Sequence, residues 1–331
     1  MVNKNFKAML VSETENKEYK REIVKRHIDD LPEGEVLINV KYSSLNYKDA
    51  LSSIGNRGVT KNYPHTPGID AAGIVETSTV PEYEPGDKVI VTGYDFGMNT
   101  SGGFAEYIRV PAKWVIKLPH SLSLKESMIY GTAGFTAALS VYKLTQSGIK
   151  PSDGDILVTG ASGGVGSVAI SLLSKLGYDV IAATGKLSEN EMLLNLGAKS
   201  IIDRHEIDDE SSKPMLKSRW AGVIDTVGGN ILSTAIKSTN YGGSVTCCGN
   251  VGGADFSSSV YPFILRGITL YGIDSVECPM PLRREIWEKL SNEWKLNNLE
   301  DNYDEVNLDG LVYKIDNMLK GEHKGRTVIK I

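Results

Sequence analysis

A glycine-rich turn between an apolar run and a helical pattern contains the residues of this chain best suited to bind a phosphate group. The run Ile156–Thr159 is short and mostly β-branched, as is typical of a strand covered on both faces. It is followed by Gly160, Gly163, Gly164 and Gly166. Glycine adopts positive φ and has no Cβ, so such a turn can bring backbone N–H groups and a helix N-terminus against a pyrophosphate. Because strand, turn, helix and a second strand at 180–183 follow in order, the sequence predicts a dinucleotide site rather than an ordinary glycine turn.

The residues after the second predicted strand indicate which nucleotide binds. An NAD site has Asp or Glu there to accept hydrogen bonds from the ribose hydroxyls. Here Thr184, Gly185 and Lys186 follow the strand without an acidic residue, and Arg204 follows the third predicted strand. Thr184, Lys186 and Arg204 would form a cationic site for a 2′-phosphate, so the sequence favours NADP over NAD. The alternative is that both cations are solvated loop residues.

Composition limits the other classes of function. The chain has 331 residues, of which 41% are hydrophobic, enough for two domains with buried cores. A net charge of −5 without long charged runs argues against nucleic acid or a membrane surface as a partner. The N-terminus has no signal-peptide core and no segment approaches a membrane span, so we expect a cytoplasmic protein. The three cysteines and five histidines lack disulfide or metal-ligand spacing, so we expect catalysis without a metal or a cysteine pair.

The chain has two kinds of secondary-structure pattern. Short strand patterns at 6–11, 36–43 and 88–92, separated by Pro/Gly turns, favour a β-rich N-terminal domain. After residue 119, helical patterns alternate with predicted strands at 156–159, 180–183, 200–203, 222–226, 244–248 and about 268–273. This alternation predicts an α/β fold with a doubly wound parallel sheet. The final segment, 326–331, is a predicted strand that could return to the N-terminal domain.

Two polar segments stand out in the β-rich part. Residues 44–51, SLNYKDAL, put several polar side chains at the end of a predicted strand. This pattern is typical of a capped helix start or of a functional site, and the sequence alone leaves both alternatives open. Asp70 is a lone carboxylate in an apolar run.

Several motifs together resemble one enzyme superfamily. The chain contains SSLNYKDAL, PGIDAAGIV, GTAGFTAAL, GASGGVGSVA, IDTVGG, PFILRG and GIDSV. With these motifs the chain resembles the medium-chain dehydrogenases/reductases. More narrowly, it resembles their zinc-free quinone oxidoreductase branch and the acryloyl-CoA reductase group within that branch. The resemblance implies a GroES-like catalytic domain at 1–123 and 297–331 and a Rossmann NADP-binding domain at 124–296. It also implies hydride transfer from NADPH to an activated C=C bond.

The zinc enzymes of that superfamily carry a cysteine after the second strand and a G-H-E motif. The corresponding segments here read Asn46-Tyr47-Lys48-Asp49 and Gly68-Ile69-Asp70, and the structural-zinc cysteines are missing. Without a Lewis acid, alcohol dehydrogenation is disfavoured and conjugate reduction remains accessible. In that reaction charge develops on the carbonyl oxygen, and a proton must reach the α-carbon.

Our candidate catalytic residues are Asn46, Tyr47 and Asp49, with Tyr47 as a hydrogen-bond donor to the enolate or as a cofactor contact. The alternative is that Tyr47 simply packs and that Asp49 caps a helix. The resemblance implies pyrophosphate contacts at Ser162, Gly163, Gly164 and Val165, 2′-phosphate contacts at Thr184, Gly185, Lys186 and Arg204, and further cofactor contacts at Asn250, Ile264, Ser275 and Arg326. It also suggests a homodimer joined by sheet edges near 268–274.

Three functions remain open at this point. Reduction of acryloyl-CoA to propionyl-CoA is preferred, reduction of a quinone or a free enone is the alternative, and an NADPH-binding protein without turnover, like the related lens crystallins, is the third. A basic patch for the CoA phosphates would discriminate the first two. The available cations are Arg57, Lys61, Arg266, Arg283 and Arg284.

Overall fold

The computed structural model describes residues 4–331, except for the side chains of residues 187 and 300, and divides the chain into two compact units. The first unit contains the chain up to Thr132 together with Val276–Asn292 and Leu299–Ile331. The second unit contains Ala133–Ser275 and Glu293–Asn298. The first three residues of the predicted catalytic domain lie outside the described part of the chain.

The first unit begins with strands and one short helix. Its early elements are β1 (Asn5–Glu13), β2 (Tyr19–His27), β3 (Val36–Ser44), α1 (Tyr47–Ser52), β4 (Asp70–Ser78), β5 (Lys88–Thr92), β6 (Tyr107–Val110) and β7 (Val115–Lys117). β1 and β2 form an antiparallel pair of their own. β3, β4, β5 and β7 follow one another in the larger sheet, with β6 also paired to β3. Strands of this sheet surround a core made mostly of valine and isoleucine, and the sheet confirms the predicted β-rich part of the chain.

The second unit is built on a six-stranded parallel sheet. After α2 (Leu124–Gln146), which starts in the first unit, its elements are β8 (Ile156–Thr159), α3 (Gly164–Lys175), β9 (Val180–Thr184), α4 (Asn190–Asn195), β10 (Ser200–Asp203), β11 (Trp220–Asp225), α5 (Gly229–Ser238), β12 (Thr239–Cys247), α6 (Tyr261–Arg266) and β13 (Thr269–Gly272). The strand order is β10-β9-β8-β11-β12-β13, so the order reverses between β8 and β11. This is the predicted doubly wound sheet.

The chain then supplies α7 (Met280–Ser291), β14 (Tyr303–Val306), α8 (Leu308–Leu319) and β15 (Arg326–Lys330). All four elements belong to the first unit. β15 lies between β14 and β3, antiparallel to β3, which confirms that the final segment returns to the N-terminal part. No helix among the described residues is long and apolar enough to cross a membrane.

The first unit takes in α7, although the predicted limits assign this segment to the Rossmann domain. Arg283 of α7 is fully buried and donates to the carbonyls of Thr92 and Val276, each at 2.9 Å. Its guanidinium lies 4.7 Å from the ring centroid of Tyr94. The apolar periodicity of a helix indicates which face is buried, but it does not specify the surface that covers that face.

Candidate functional site

The glycine turn after β8 is fixed by close backbone contacts. Gly160 has a φ of 59°, and a Cβ built on it would lie 2.3 Å from Thr226 Oγ1, so only glycine fits. A Cβ on Gly166 would lie 2.4 Å from the carbonyl oxygen of Gly160. Helix α3 starts at Gly164 behind an N-cap, Gly163, that has no side chain to cap the first N–H groups. Those groups are therefore the donors that a pyrophosphate would use.

The predicted 2′-phosphate residues lie together beside this turn. Thr184 Oγ1 is 3.3 Å from Ser162 Oγ and accepts a hydrogen bond from the backbone N–H of Lys186 at 3.0 Å. Arg204 directly follows β10, which is paired with β9. The Cδ atom of Arg204 lies 2.9 Å from the position of a Cβ on Gly185. Two hydroxyls, a backbone turn and two cationic residues thus meet at the ends of neighbouring strands, as a 2′-phosphate site requires.

The remaining predicted cofactor contacts are more dispersed. Asn250 is exposed after β12, and its Cα lies 3.2 Å from the Cβ position of Gly228, at the same edge of the sheet. Ile264 is 67% exposed on α6, and Ser275 follows β13. Arg326 lies in the first unit, where its side chain is buried and hydrogen-bonded.

A buried polar cluster of the first unit is centred on Asp70, the first residue of β4. The fully buried Asp70 carboxylate accepts from Ser44 Oγ at 2.5 Å and from Asn46 Nδ2 at 2.7 Å. It also accepts from the backbone N–H and the hydroxyl of Thr132, at 2.8 and 2.6 Å. Four donors thus satisfy this carboxylate. Ser44 and Thr132 were missed by sequence reasoning, because no local signal links them to a residue 26 or 62 positions away.

Arg326 completes the same cluster. Its Nε donates to the carbonyl of Ile129 at 2.9 Å, and its Nη1 lies 3.3 Å from the carbonyl of Leu45 and 3.4 Å from Asn46 Oδ1. Burial lowers the pKa of the guanidinium, and the charges of Asp70 and Asp49 oppose that effect. Arg326 is therefore a buried member of the cluster, and its Nη2 has no hydrogen-bond partner among the described residues.

Asn46 and Asp49 shape the start of α1. Asn46 is the N-cap residue, and its backbone N–H donates to Asp49 Oδ2 at 2.8 Å, as in one half of a capping box. Asp49 Oδ1 accepts from the backbone N–H groups of Gly68 and Ile69, at 3.1 and 2.9 Å. Burial, and then the charge of Asp70, raises the pKa of Asp49 to about 7. Asp49 thus caps α1 and joins it to the segment before β4, in agreement with the alternative stated from the sequence.

Tyr47 differs from its buried neighbours. It is the first residue of α1, and its side chain is 44% exposed. That exposure disfavours a role in core packing alone and leaves part of the residue open to a ligand. The capping bonds of Asn46 and Asp49 set the direction of the helix turn that carries Tyr47.

Comparison with known proteins identifies the family. Residues 32–120 match the alcohol dehydrogenase GroES-like domain, and residues 164–293 match the zinc-binding dehydrogenase family. YhfP of Bacillus subtilis strain 168, provisionally named a quinone oxidoreductase, is 46% identical over 92% of this chain and 92% of its own. Acrylyl-CoA reductase AcuI of Ruegeria pomeroyi is 41% identical over 98% of this chain and 99% of its own.

Solved structures agree with these relatives. The yhdH oxidoreductase of Salmonella enterica in complex with NADP has a TM-score of 0.95, with 41% identity over 98% of this chain and 99% of that chain. YhfP with NAD bound has a TM-score of 0.96, with 42% identity over 99% of this chain and 100% of its own. The chain therefore belongs to the medium-chain dehydrogenase/reductase family of oxidoreductases. Within it, the chain falls in the quinone oxidoreductase and acrylyl-CoA reductase group, and the predicted GroES-like and Rossmann fold class is confirmed.

The name of the second family model raises the question of zinc. The donors available here do not fit that metal, because Asn46 directs its Nδ2 at Asp70 and Asp49 accepts backbone N–H groups. Within residues 4–331 as described, no group of three or more His, Cys, Asp or Glu side chains is arranged to hold a metal ion.

Proposed function

We propose that this chain uses NADPH to reduce the activated C=C bond of an enoyl thioester, with conversion of acryloyl-CoA to propionyl-CoA as its preferred reaction in the cytoplasm. The observation that carries the proposal is the buried Asp70 cluster beside an exposed Tyr47, where the donors do not fit zinc. The name of the Ruegeria relative supports the choice of substrate.

The chain's own residues support NADPH as the cofactor. The turn Ser162–Val165 would hold the pyrophosphate, and Thr184, Lys186 and Arg204 would hold the 2′-phosphate. The NADP-bound yhdH structure supports this choice, whereas the NAD-bound YhfP structure supports NAD as the alternative cofactor. When bound, NADPH supplies the hydride of the reaction.

The first unit would supply the stabilising donor. We propose that the Tyr47 hydroxyl donates a hydrogen bond to the carbonyl oxygen as charge develops there and supplies the proton for the α-carbon. Asn46 and Asp49 act as positioning residues, because their polar atoms are occupied by each other, by Asp70 and by backbone groups. Asp70 in turn holds Asn46 through a 2.7 Å hydrogen bond.

The deciding experiment follows NADPH absorbance with acryloyl-CoA in one cuvette and a benzoquinone in another. Oxidation with the thioester at micromolar KM would support the proposal. Oxidation with the quinone alone would favour the second candidate, which the name of YhfP supports. Binding of NADPH without turnover of either compound would favour the non-catalytic alternative.

Tyr47→Phe tests the donor. We expect kcat to fall about 100-fold, because a general acid contributes about 10²–10⁴-fold, while NADPH affinity is unchanged. Tyr313→Phe is the matched control, since Tyr313 is 66% exposed on α8 of the same unit. Unchanged turnover in Tyr47→Phe would remove Tyr47 from the mechanism.

Some of the five cations considered as partners for the CoA phosphates are already bonded within the protein. Arg283 is fully buried, and Arg266 donates to the carbonyls of Lys237 and Thr239 in the second unit. Arg57 is paired with Glu13 at 2.5 Å. Three of the five cations are therefore bonded within the protein, and the choice between thioester and quinone depends on the assay.

We also propose a homodimer formed through β13, which is the last strand at one side of the parallel sheet. An unpaired strand edge is a template for pairing with a second copy. Val260, Ile264 and Leu265 in and before the neighbouring α6 are all more than half exposed, at 65, 67 and 57%. Sedimentation equilibrium should give twice the monomer mass, and a monomer at micromolar concentration would contradict the proposal.

A further inference from the structure

A buried carboxyl group lies at the point where the strand order of the second unit reverses. Asp225 is the last residue of β11 and is fully buried. Its Oδ1 accepts a hydrogen bond from the hydroxyl of Thr159, the last residue of β8, at 2.7 Å. Its Oδ2 accepts from the backbone N–H of Gly228 at 2.8 Å. One side chain thus bonds to the end of the neighbouring strand and to the N-cap residue of α5.

Thr159 extends this network to the glycine turn. Its Oγ1 also accepts from the backbone N–H of Thr226 at 3.0 Å, and Thr226 Oγ1 donates to the carbonyl of Thr159 at 2.9 Å. The next residue along the chain is Gly160, where a Cβ would lie 2.3 Å from Thr226 Oγ1. The first residue of the glycine turn therefore rests against the segment that Asp225 holds.

The turn after β12 joins the same arrangement. The backbone N–H of Cys248 donates to the carbonyl of Asp225 at 3.0 Å. A Cβ on Gly249 would lie 1.9 Å from the carbonyl oxygen of Thr226, so this turn also packs directly on the 226–229 segment. The turns after β8, β11 and β12 are thus in contact, and dinucleotides bind at such a reversal of strand order.

Asp225 is a buried carboxyl group whose described partners are all uncharged. Among the described ion pairs, no Lys or Arg is within bonding distance of Asp225. Burial raises the pKa of this carboxyl group, and hydrogen bonds from Thr159 and Gly228 oppose the shift. A buried carboxyl group without a cation costs stability that an apolar residue would not cost.

We propose that Asp225 is a positioning residue for the dinucleotide: through Thr159 and Gly228 it sets the glycine turn and the 226–229 turn in the arrangement that receives the pyrophosphate. This inference rests on the proposed cofactor site but is independent of the reduced substrate. It predicts that loss of the Thr159–Asp225 hydrogen bond raises the Kd of the cofactor, and that this rise is not explained by a general loss of stability.

The test compares two identical substitutions in one sheet. Thr159→Val removes the bond to Asp225, whereas Thr246→Val removes a buried hydroxyl of β12 that donates to the carbonyl of Val223, at 3.3 Å. We expect Thr159→Val to raise the Kd of NADPH about tenfold by fluorescence titration, because Asp225 loses a donor. We expect Thr246→Val to leave the Kd within about twofold, although it also removes a buried hydroxyl and a hydrogen bond from the same sheet.

A second variant covers the case in which Thr159→Val fails to fold. Asp225→Asn keeps the size of the side chain and should also raise the Kd about tenfold, with less than an additive effect when the two substitutions are combined. An unchanged Kd in either folded variant, or equal changes in Thr159→Val and Thr246→Val, would overturn the inference. Failure of the wild type to bind NADPH or NADH would overturn both this inference and the proposed function, whereas inactivity toward acryloyl-CoA would affect only the latter.

Discussion

Asp49 shows how burial and hydrogen bonding oppose each other at a single carboxyl group. Backbone N–H groups of Asn46, Gly68 and Ile69 donate to it, which favours its ionised form. Complete burial and the nearby charge of Asp70 favour the protonated form, and together they raise its pKa to about 7. The carboxyl group of Asp49, which caps α1, therefore binds its proton more tightly in the folded chain than in the unfolded chain.

This shift predicts a pH dependence of stability. Unfolded Asp49 loses its proton near the ordinary value of 3.8, whereas folded Asp49 keeps it up to about 7, so unfolding releases a proton between these values. The contribution to stability is greatest below this window and falls as the pH rises through it. Relative to Asp49→Asn, the wild-type free energy of unfolding should fall by about 2–3 kcal/mol from about pH 5 to about pH 8.

Urea unfolding of both chains at the two pH values measures this difference. The exposed Glu322→Gln serves as the control and should show no such change relative to wild type. A constant difference between wild type and Asp49→Asn across the window would contradict the raised pKa.

Arg204 carries a second prediction at the residue scale. It is exposed, and its aliphatic stem contacts the Gly185 turn, so its guanidinium is available to a 2′-phosphate. Arg204→Ala should raise the KM for NADPH about 10–100-fold, since a charge-assisted hydrogen bond contributes about 1.5–3 kcal/mol, and should leave the KM for NADH unchanged. Lys217→Ala, at another exposed cation of the second unit, should change neither value. Equal effects on both nucleotides would remove Arg204 from the 2′-phosphate site.

At the scale of elements, the interruption of α2 brings the Asp70 cluster together. Gly131 has non-helical angles, with φ 51° and ψ −158°, and the helix resumes with Thr132, whose N–H donates to Asp70. A Cβ on Gly131 would lie 2.4 Å from Ser44 Oγ and 2.6 Å from Asp70 Oδ2. The break therefore directs the start of the second helical part at a buried carboxylate and needs a residue without a side chain.

Gly131→Ala tests this role of the break. The substitution combines a positive φ, which costs about 1–2 kcal/mol, with displacement of the cluster. Gly148→Ala is the matched control, because Gly148 has a φ of 89° and nothing within 4 Å of its Cβ position. We expect the free energy of unfolding to fall by about 2 kcal/mol more in Gly131→Ala than in Gly148→Ala, measured by urea denaturation. Equal losses of unfolding free energy in the two variants would show that the Asp70 cluster accommodates the added methyl group without further destabilisation.

At the scale of the whole molecule, the last strand completes the sheet of the first unit. Val328 and Ile329 are fully buried in β15, between β14 and β3. Ile329→Ala should destabilise the chain by about 2–5 kcal/mol, because it leaves a cavity in this core. Tyr313→Ala, at an exposed position of α8, should cost less than about 0.5 kcal/mol. Thermal unfolding of both variants checks the prediction, and equal melting temperatures would contradict it.

Local patterns predicted most of the elements, including the strand, glycine turn and helix at 156–175, because hydrophobic periodicity and glycine placement act over a few residues. They also predicted Thr184, Lys186 and Arg204 as parts of one site, and the structure brings these residues together at the ends of adjacent parallel strands, with Ser162, which the family resemblance implied, beside Thr184. The hydrogen-bond partners of Arg326 and Arg283 were not predictable, because they are backbone carbonyls contributed by distant segments.

The sequence by itself determined the family, the β-rich and doubly wound parts and the cofactor turn, because their motifs are contiguous in the chain. Only the tertiary structure decided that Ser44, Asn46, Thr132 and Arg326 surround Asp70, and that Thr159 bonds to Asp225. The physical reason is that a buried polar group is hydrogen-bonded to whichever groups folding places beside it. The separation of two residues along the chain does not indicate whether they are close in space.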